Sequence, residues 1–243
     1  MNINHVRALV EKDFNVFMKK KSIIYAVVIL PLAFSIGMPA LLIYIQSRSK
    51  AIASNMGVII SSFSYLFVVL GAIAPIQISS YSLVGEKVEK CIEPLLATPL
   101  TDSEILLSKS IIAFFPSLIA LYISASIFTV LVDSTIQNLG ENYLPDWSFT
   151  VILLIILPLT LLFSIEIGII VSSQVNDARS ASQLGMVFII PLFAIFLLKN
   201  AQIITFDQNT LLIIAGVLII GDIILFVISR ILFRREQILT KWK

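Results

Sequence analysis

The stretch GEKVEKCIEPLLATPLTDSEILLSK, residues 85–109, forms a charged island in an otherwise apolar chain. It holds five acids and three lysines, whereas the neighbouring runs 56–80 and 110–132 contain no charged residue. Of the 243 residues, 58% are hydrophobic and 13% are charged, and the mean hydropathy is +1.00. Soluble domains average about 45–50% apolar and about 25% charged residues, so this composition indicates a membrane protein.

Apolar runs long enough to cross a membrane lie on both sides of the island. A spanning helix needs about 20 mostly apolar residues. Windows that reach or nearly reach this length are 22–45, 56–80, 106–132, 149–171, 184–198 and 210–229. The fifth is the shortest, and we expect it to extend at one end. The predicted fold class is an all-α membrane protein with six transmembrane helices.

The basic residues predict which side of the membrane the island occupies. An even number of spans puts both termini on the same side. Placing that side in the cytoplasm leaves fourteen of the seventeen basic residues inside. Only Arg48, Lys50 and Lys199 then lie outside. This bias follows the positive-inside rule, so we expect cytoplasmic N- and C-termini and a cytoplasmic island.

Residues 1–21 precede the first apolar window and carry a helical pattern. Between Ile3 and Met18 the apolar residues recur every three or four positions, which places them on one face of a helix. Beside a membrane, this pattern favours an amphipathic helix lying in the inner interface. The alternative is a helix that packs on a partner protein.

Each of the first five windows contains proline. The residues are Pro31, Pro39, Pro75, Pro116, Pro158 and Pro191. Proline removes a backbone donor and bends a helix, and in lipid the freed carbonyl must be satisfied by neighbouring groups. The pattern favours a packed bundle. It is equally typical of moving helices and of membrane helices in general, where proline is frequent.

Two acids, Glu166 and Asp222, fall inside apolar windows. A charge in the middle of a bilayer costs about 2.5–3.5 kcal/mol, so each acid should face the bundle interior or a wet cavity. They are candidates for a translocation path, as cargo or proton sites. The alternative is that each makes a structural hydrogen bond between helices.

The residue counts exclude several kinds of site. A single cysteine, Cys91, leaves no internal disulfide and no cysteine-built metal site. A single histidine, His5, leaves no second member for a zinc site or a histidine pair, so we expect an ordinary surface residue. With a net charge of +2, no nucleic-acid footprint stands out.

Enzyme motifs are incomplete. The run NDAR, 176–179, lacks the further aspartates that a lipid phosphotransferase uses to hold two metals. The run IIGD, 219–222, lacks both a glycine and the second intramembrane aspartate of a carboxylate pair. No phosphate-binding GxxxxGK[ST] loop occurs, so the chain is not an ATPase of that class. We predict no catalytic site and no metal site.

The island itself has the pattern of a built elbow. Its first part is helical, and Pro94 then bends or restarts the chain. The run TDSE is a capping box, in which Thr101 caps a new helix and Glu104 reaches back to the amide of Thr101. That helix continues into the third span. A compact elbow of short helices favours a docking surface, and the alternative is a well-capped connector.

The island resembles the signature of ABC-2 type permeases, the membrane subunits of a class of ATP-driven transporters. Their shared run is approximately GEKE(x)nTLEPLLATPLSxxEILLGK, on a cytoplasmic loop between the second and third of six spans. The residues that fit it are Gly85, Glu86, Lys87, Glu89, Glu93, Pro94, Leu95, Leu96, Ala97, Thr98, Pro99, Leu100, Glu104, Ile105, Leu106, Leu107 and Lys109. Cys91 and Ser108 depart from it. Two further stretches, 172–191 and 232–239, resemble the family's loop after the fourth span and its basic tail.

The resemblance implies a single ABC-2 type transmembrane domain over 1–243, in the cell membrane, with a coupling region at 81–105 and a basic cytoplasmic tail at 230–243. Two permease chains, identical or paralogous, would pair among membrane lipids and sit on separate nucleotide-binding ATPase subunits. Those subunits would bind ATP and magnesium, and this chain would bind no cofactor. The residues implied to couple to the ATPase are Glu86, Lys87, Glu89, Glu93, Pro94, Leu95, Leu96, Thr98 and Pro99.

The predicted function is therefore that of an exporter permease with an unidentified substrate. Relatives carry sodium, antibiotics, polysaccharides and lipids, so the resemblance does not select among these cargoes. The alternative, from a different class, is a non-transporting membrane scaffold or assembly factor that anchors a soluble cytoplasmic partner.

Overall fold

The computed structural model describes residues 3–48, 56–88, 100–137, 147–201, 203 and 207–232. Within these ranges the chain is helical, with no strand. The helices are α1 (Ile3–Lys19), α2 (Lys21–Ile24), α3 (Leu30–Arg48), α4 (Met56–Val88), α5 (Asp102–Gln137), α6 (Trp147–Val151), α7 (Leu157–Gln174), α8 (Ala178–Val187), α9 (Ile190–Asn200) and α10 (Gln208–Leu232).

Six stretches of these helices are long and apolar enough to cross a membrane. They are Lys21–Tyr44, Tyr65–Glu86, Asp102–Ser134, Trp147–Gln174, Arg179–Lys199 and Gln208–Leu232. The predicted fold class, an all-α membrane protein with six transmembrane helices, is confirmed. The fifth stretch is longer than its apolar window because α8 and α9 follow each other with only a turn at 188–189 between them.

Two helices, α4 and α5, are longer than a membrane crossing requires. They have 33 and 36 residues. At about 1.5 Å per residue these helices are roughly 50 Å and 54 Å long, whereas the hydrocarbon core of a bilayer is about 30 Å thick. The C-terminal end of α4 and the N-terminal end of α5 carry the two flanks of the charged island. The spans therefore continue as helix into the island.

Helix α4 lies at the centre of the bundle. Of its spanning stretch, 76% is buried within the chain, compared with 17% for α10. It packs chiefly on α7, where Gly168 faces Ser79 so closely that a Cβ on the glycine would overlap the serine hydroxyl and lie 2.9 Å from its Cβ. Ser79 donates its hydroxyl hydrogen to the Pro75 carbonyl at 2.9 Å, so the buried polar atom is satisfied within α4.

Two prolines coincide with a change in helical hydrogen bonding. Short π-helical segments, Tyr25–Ile29 and Ile152–Ile156, join α2 to α3 and α6 to α7. Each ends two residues before a proline, Pro31 or Pro158. Because proline has no N–H and its ring crowds the carbonyl four residues earlier, the hydrogen-bond ladder widens at this point. The prolines inside α4 and α5 lie in regular α-helix.

The N-terminal helix α1 packs against α5. Val6, Leu9 and Phe17 are buried, whereas Phe14 and Met18 are exposed. The predicted helix is present, and part of its apolar face is covered by the chain itself. The two exposed apolar side chains are the part of that face left for a membrane interface, whose contact with lipid stays a prediction.

Candidate functional site

The charged island joins α4 to α5, and its two flanks are described. Residues Glu89, Glu93, Pro94, Leu95, Leu96, Thr98 and Pro99 of the predicted coupling set lie outside the described residues. Lys87 lies in α4, and its side chain is likewise outside the description. Of that set, Glu86 is therefore the residue whose side-chain contacts the structure describes.

The start of α5 forms the predicted capping box. The Thr101 amide donates to Glu104 Oε2 at 2.9 Å, and the Glu104 amide donates to Thr101 Oγ1 at 3.3 Å. Two of the unpaired amides at the helix start are thereby satisfied. This fixes the point at which the island becomes the third span.

A buried lysine joins the two flanks of the island. Lys109, one of the residues of the family signature, has a side chain only 2% exposed. Its Nζ donates to Glu86 Oε1 at 2.8 Å, to Asp13 Oδ2 at 2.7 Å and to the Ser82 carbonyl at 3.4 Å. Helices α1, α4 and α5 therefore meet at one ammonium group. A buried charge is tolerated when it is paired and hydrogen-bonded in this way.

A second lysine, on α1, completes an alternating set of charges. Lys12 Nζ lies 3.2 Å from Glu86 Oε1, the same oxygen that Lys109 binds, but its side chain is 47% exposed. We call Lys12, Asp13, Glu86 and Lys109 the charge quartet. It contains two cations and two anions, so the junction of the three helices is electrically balanced.

Further contacts tie the N-terminal segment to the same junction. His5 Nδ1 lies 4.0 Å from Glu104 Oε2 of the capping box, so this surface histidine has an acidic neighbour. Lys20 Nζ lies 4.9 Å from the centroid of the Tyr81 ring of α4.

The sequence did not single out Asp13 as a site residue. The sequence carries no signal for its role, because its contact with Lys109 depends on how α1 packs on α5.

The loop after α7 carries the second stretch of the resemblance. Asp177 caps α8, accepting hydrogen bonds from the Ser180 amide at 3.0 Å and the Ser180 hydroxyl at 3.1 Å. These hydrogen bonds lower the pKa of the Asp177 carboxyl below its ordinary value of 3.8, and the hydrogen bond from the amide has the largest effect. The loop is therefore an ordered cap at the junction of α7 and α8.

The two intramembrane acids line one cavity. Glu166 of α7 and Asp222 of α10 both border a cavity of about 670 Å³ between α5, α7 and α10. Glu166 is 8% exposed. Its Oε2 and both Asp222 carboxylate oxygens are buried and accept no hydrogen bond from the described residues. Within the described ranges, no three His, Cys, Asp or Glu residues are placed to hold a metal ion.

Close packing of two helices brings these acids to the same cavity. Gly221 precedes Asp222, and a Cβ on it would lie 3.1 Å from Cε2 of Phe163 on α7. Helix α10 therefore approaches α7 closely at the level of the acids. On the next turns of α10, Ser229 lies within hydrogen-bonding reach of Glu166.

A family profile described as ABC-2 family transporter protein matches residues 7–234. The chain belongs to the ABC-2 transporter family. The match includes all six apolar stretches, the charge quartet, the capping box and both intramembrane acids. The chain matches none of the curated proteins with which it was compared.

Family membership establishes the general role of the chain. This ABC-2 protein is a multi-pass membrane permease, and the family is a membrane transport domain without an ATPase site of its own. Two members of the charge quartet, Glu86 and Lys109, belong to the charged island, and Lys12 and Asp13 belong to α1. The acidic cavity lies among the spans.

Proposed function

We propose that this chain is the membrane-spanning permease subunit of an ATP-driven exporter, coupled to a separate nucleotide-binding ATPase. It sits in the cell membrane with both termini in the cytoplasm and pairs with a second permease chain, identical or paralogous. ATP and magnesium bind to the ATPase. Family membership, the absence of a phosphate-binding loop from the sequence and the distribution of basic residues support this assignment.

The observation that carries the coupling role is the salt bridge between Glu86 and Lys109. It joins the end of α4 to the start of α5 at 2.8 Å, and the segment 89–99 connects these two points in sequence. A displacement of that segment therefore acts on a junction in which the two spans are held to each other. A loop between two independent helix ends would absorb the same displacement.

The charge quartet adds α1 to this junction. Asp13 binds the same ammonium group at 2.7 Å, so the N-terminal helix is attached to both spans. The ATPase would therefore move three helices together when it closes on ATP. The resemblance implies an ATPase contact from Glu86 to Pro99. Because Glu86 is buried in the charge quartet, the part proposed to touch the ATPase is the segment 89–99, with Glu93 and Pro94 at its centre.

The only cysteine of the chain gives a direct test of docking and orientation. Cys91 lies within the proposed docking segment, so a benzophenone maleimide attaches there without any engineered cysteine. In membranes that contain the permease together with a candidate ABC ATPase, illumination should cross-link the two chains. Cys91→Ser is the matched control and should give no cross-linked product.

A membrane-impermeant maleimide tests the side of the membrane. Cys91 should react in inside-out vesicles and stay unreacted in sealed right-side-out vesicles. The reverse pattern would refute the proposed orientation, and the absence of a Cys91-dependent cross-link to the ATPase would refute docking at this segment.

A functional test separates transport coupling from scaffolding. Replacing Glu93 and Pro94 by alanine should weaken co-purification of the ATPase and lower ATP turnover in reconstituted vesicles. The matched control is Glu11→Gln, an exposed acid of α1 outside the charge quartet. Unchanged association and turnover would refute the docking role. Association with no permease-dependent ATP turnover would instead favour a scaffold.

A further inference from the structure

The cavity between α5, α7 and α10 combines a large apolar wall with two carboxyl groups, three of whose four oxygens accept no hydrogen bond from the described residues. Its volume of about 670 Å³ lies within the range of roughly 300–1,000 Å³ that is typical of small-molecule sites. The apolar residues that line it include Leu106, Ile111, Phe114, Phe115, Leu162 and Ile223. The acids lie on the walls formed by α7 and α10.

The carboxyl groups at this site have few hydrogen-bond partners on the described chain. Three of their four oxygens are buried and accept no hydrogen bond from the described residues. An unpaired buried carboxylate is costly, and inside a membrane such groups pair with a cation or line a ligand path. Arg230 also lines the cavity, but its guanidinium carbon lies 6.0 Å from the ring centroid of Phe226, and its side chain is exposed.

The shape of the site discriminates between kinds of cation. A bare metal ion needs several oxygen ligands packed closely around it and would leave the apolar walls unused. An organic ammonium group donates hydrogen bonds to carboxylates, and an attached apolar body buries the surface of the phenylalanine and leucine side chains. Both features of the cavity are then used by one molecule.

We propose that this cavity binds an amphiphilic organic amine, with its ammonium group at Glu166 and Asp222 and its apolar body between α5 and α10. That such an amine is the transported cargo of the permease rests on the proposed function. The binding itself needs neither the ATPase nor ATP, so its test can fail while the coupling test succeeds, and the reverse.

Monodansylcadaverine, a fluorescent aromatic compound with one primary amine, is a suitable probe. The permease is reconstituted in phosphatidylcholine nanodiscs, and probe binding is followed by fluorescence polarisation against empty nanodiscs. N-acetyl monodansylcadaverine keeps the apolar body and lacks the cation. We expect saturable binding of the amine and a loss of affinity of about tenfold or more for the acetylated compound.

Three variants separate charge, space and non-specific effects. The double variant Glu166→Gln, Asp222→Asn removes both charges with little change in volume and should weaken amine binding by about tenfold or more. Leu162→Trp, one helical turn from Glu166 on α7, keeps both acids and should block the cavity by filling it. Glu11→Gln removes a charge outside the spans and should bind like the wild type.

The outcomes are distinct even if one variant is poorly folded. Each variant is first compared with the wild type by size-exclusion elution and thermal unfolding. Equal affinity for the amine and its acetylated form would overturn the proposal. So would unchanged binding by both the charge variant and Leu162→Trp, or the absence of saturable amine binding to the wild-type permease.

Discussion

The charge quartet predicts that two lysines bound to one carboxylate oxygen contribute very differently to stability. Lys109 and Lys12 both lie within 3.2 Å of Glu86 Oε1. The side chain of Lys109 is 2% exposed and that of Lys12 is 47% exposed. Methionine has nearly the length of lysine without its charge, so Lys109→Met and Lys12→Met remove the same group from a buried and an exposed position.

The expected magnitudes follow from burial. Lys109 binds two carboxylates, Glu86 at 2.8 Å and Asp13 at 2.7 Å, and its removal leaves both without their buried cation. Removing one partner of a buried ion pair costs about 3–5 kcal/mol. Lys12 is screened by solvent, and exposed pairs contribute about 0–1 kcal/mol. We therefore expect the free energy of unfolding to fall several times more for Lys109→Met.

Thermal unfolding in detergent micelles, followed by far-UV circular dichroism at one scan rate, measures the difference. For a chain of this length, 1 kcal/mol corresponds to about 2–4 °C in Tm, so Lys109→Met should lower Tm by roughly 10 °C and Lys12→Met by about 3 °C or less. The triple variant Lys109→Met, Glu86→Gln, Asp13→Asn should recover part of the loss, because no uncompensated charge stays buried.

Equal and small shifts for the two methionine variants would refute this reasoning. They would mean that Lys109 is hydrated in the folded protein and that the three helices are not held by a buried ion pair. A further loss in the triple variant would also contradict it, because the cost would then come from packing rather than from unpaired charge.

Two further predictions concern helix packing and a helix cap. Gly168→Ala should lower the free energy of unfolding, measured by thermal unfolding, by about 1–3 kcal/mol, because the new Cβ meets Ser79. Gly216→Ala, whose Cβ would have nothing within 4 Å, should be neutral or stabilise the fold by up to about 1 kcal/mol. Equal effects of the two substitutions would refute the close approach of α4 and α7. The lowered pKa of Asp177 means that its cap stabilises α8 fully at pH values above the ordinary pKa of 3.8. This stabilisation is lost as the pH falls through the lower pKa of the folded state. After correction for intrinsic rates, amide hydrogen exchange of residues 178–187 should therefore be faster in acid than at neutral pH in the wild type. Asp177→Asn should not show this increase. Identical pH profiles for the two proteins would exclude the cap.

Most of the fold could be predicted from the sequence because membrane spans are defined by length and hydropathy. The six apolar windows correspond to six helical stretches. Helix ends were less predictable, since helices end where their terminal amides and carbonyls find partners rather than where apolar residues stop. The start of helix α5 at Asp102 is an exception, because the capping box at Thr101 predicts it although the apolar window starts only at 106.

The sequence predicted several of the residues that form the sites, but not how those residues are arranged in space. The cost of a charge in lipid was enough to place Glu166 and Asp222 against a cavity or the bundle interior. That they share one cavity depends on the close approach of α7 and α10 at Gly221, which no local pattern specifies. Asp13 likewise meets Lys109 only because α1 folds back on α5.

The position of Lys109 also explains why a signature on a loop extends into a span. The proposed docking surface ends near Pro99, yet the lysine lies about two helical turns into α5, which begins at Asp102, since one turn takes 3.6 residues. A residue that only touched an ATPase would be exposed, and Lys109 is instead buried among α1, α4 and α5. The presence of Lys109 in the signature is explained if coupling requires two things: a surface that contacts the ATPase and a fixed junction of helices behind that surface. The island then comprises a contact segment and its support, and the second part lies inside the fold.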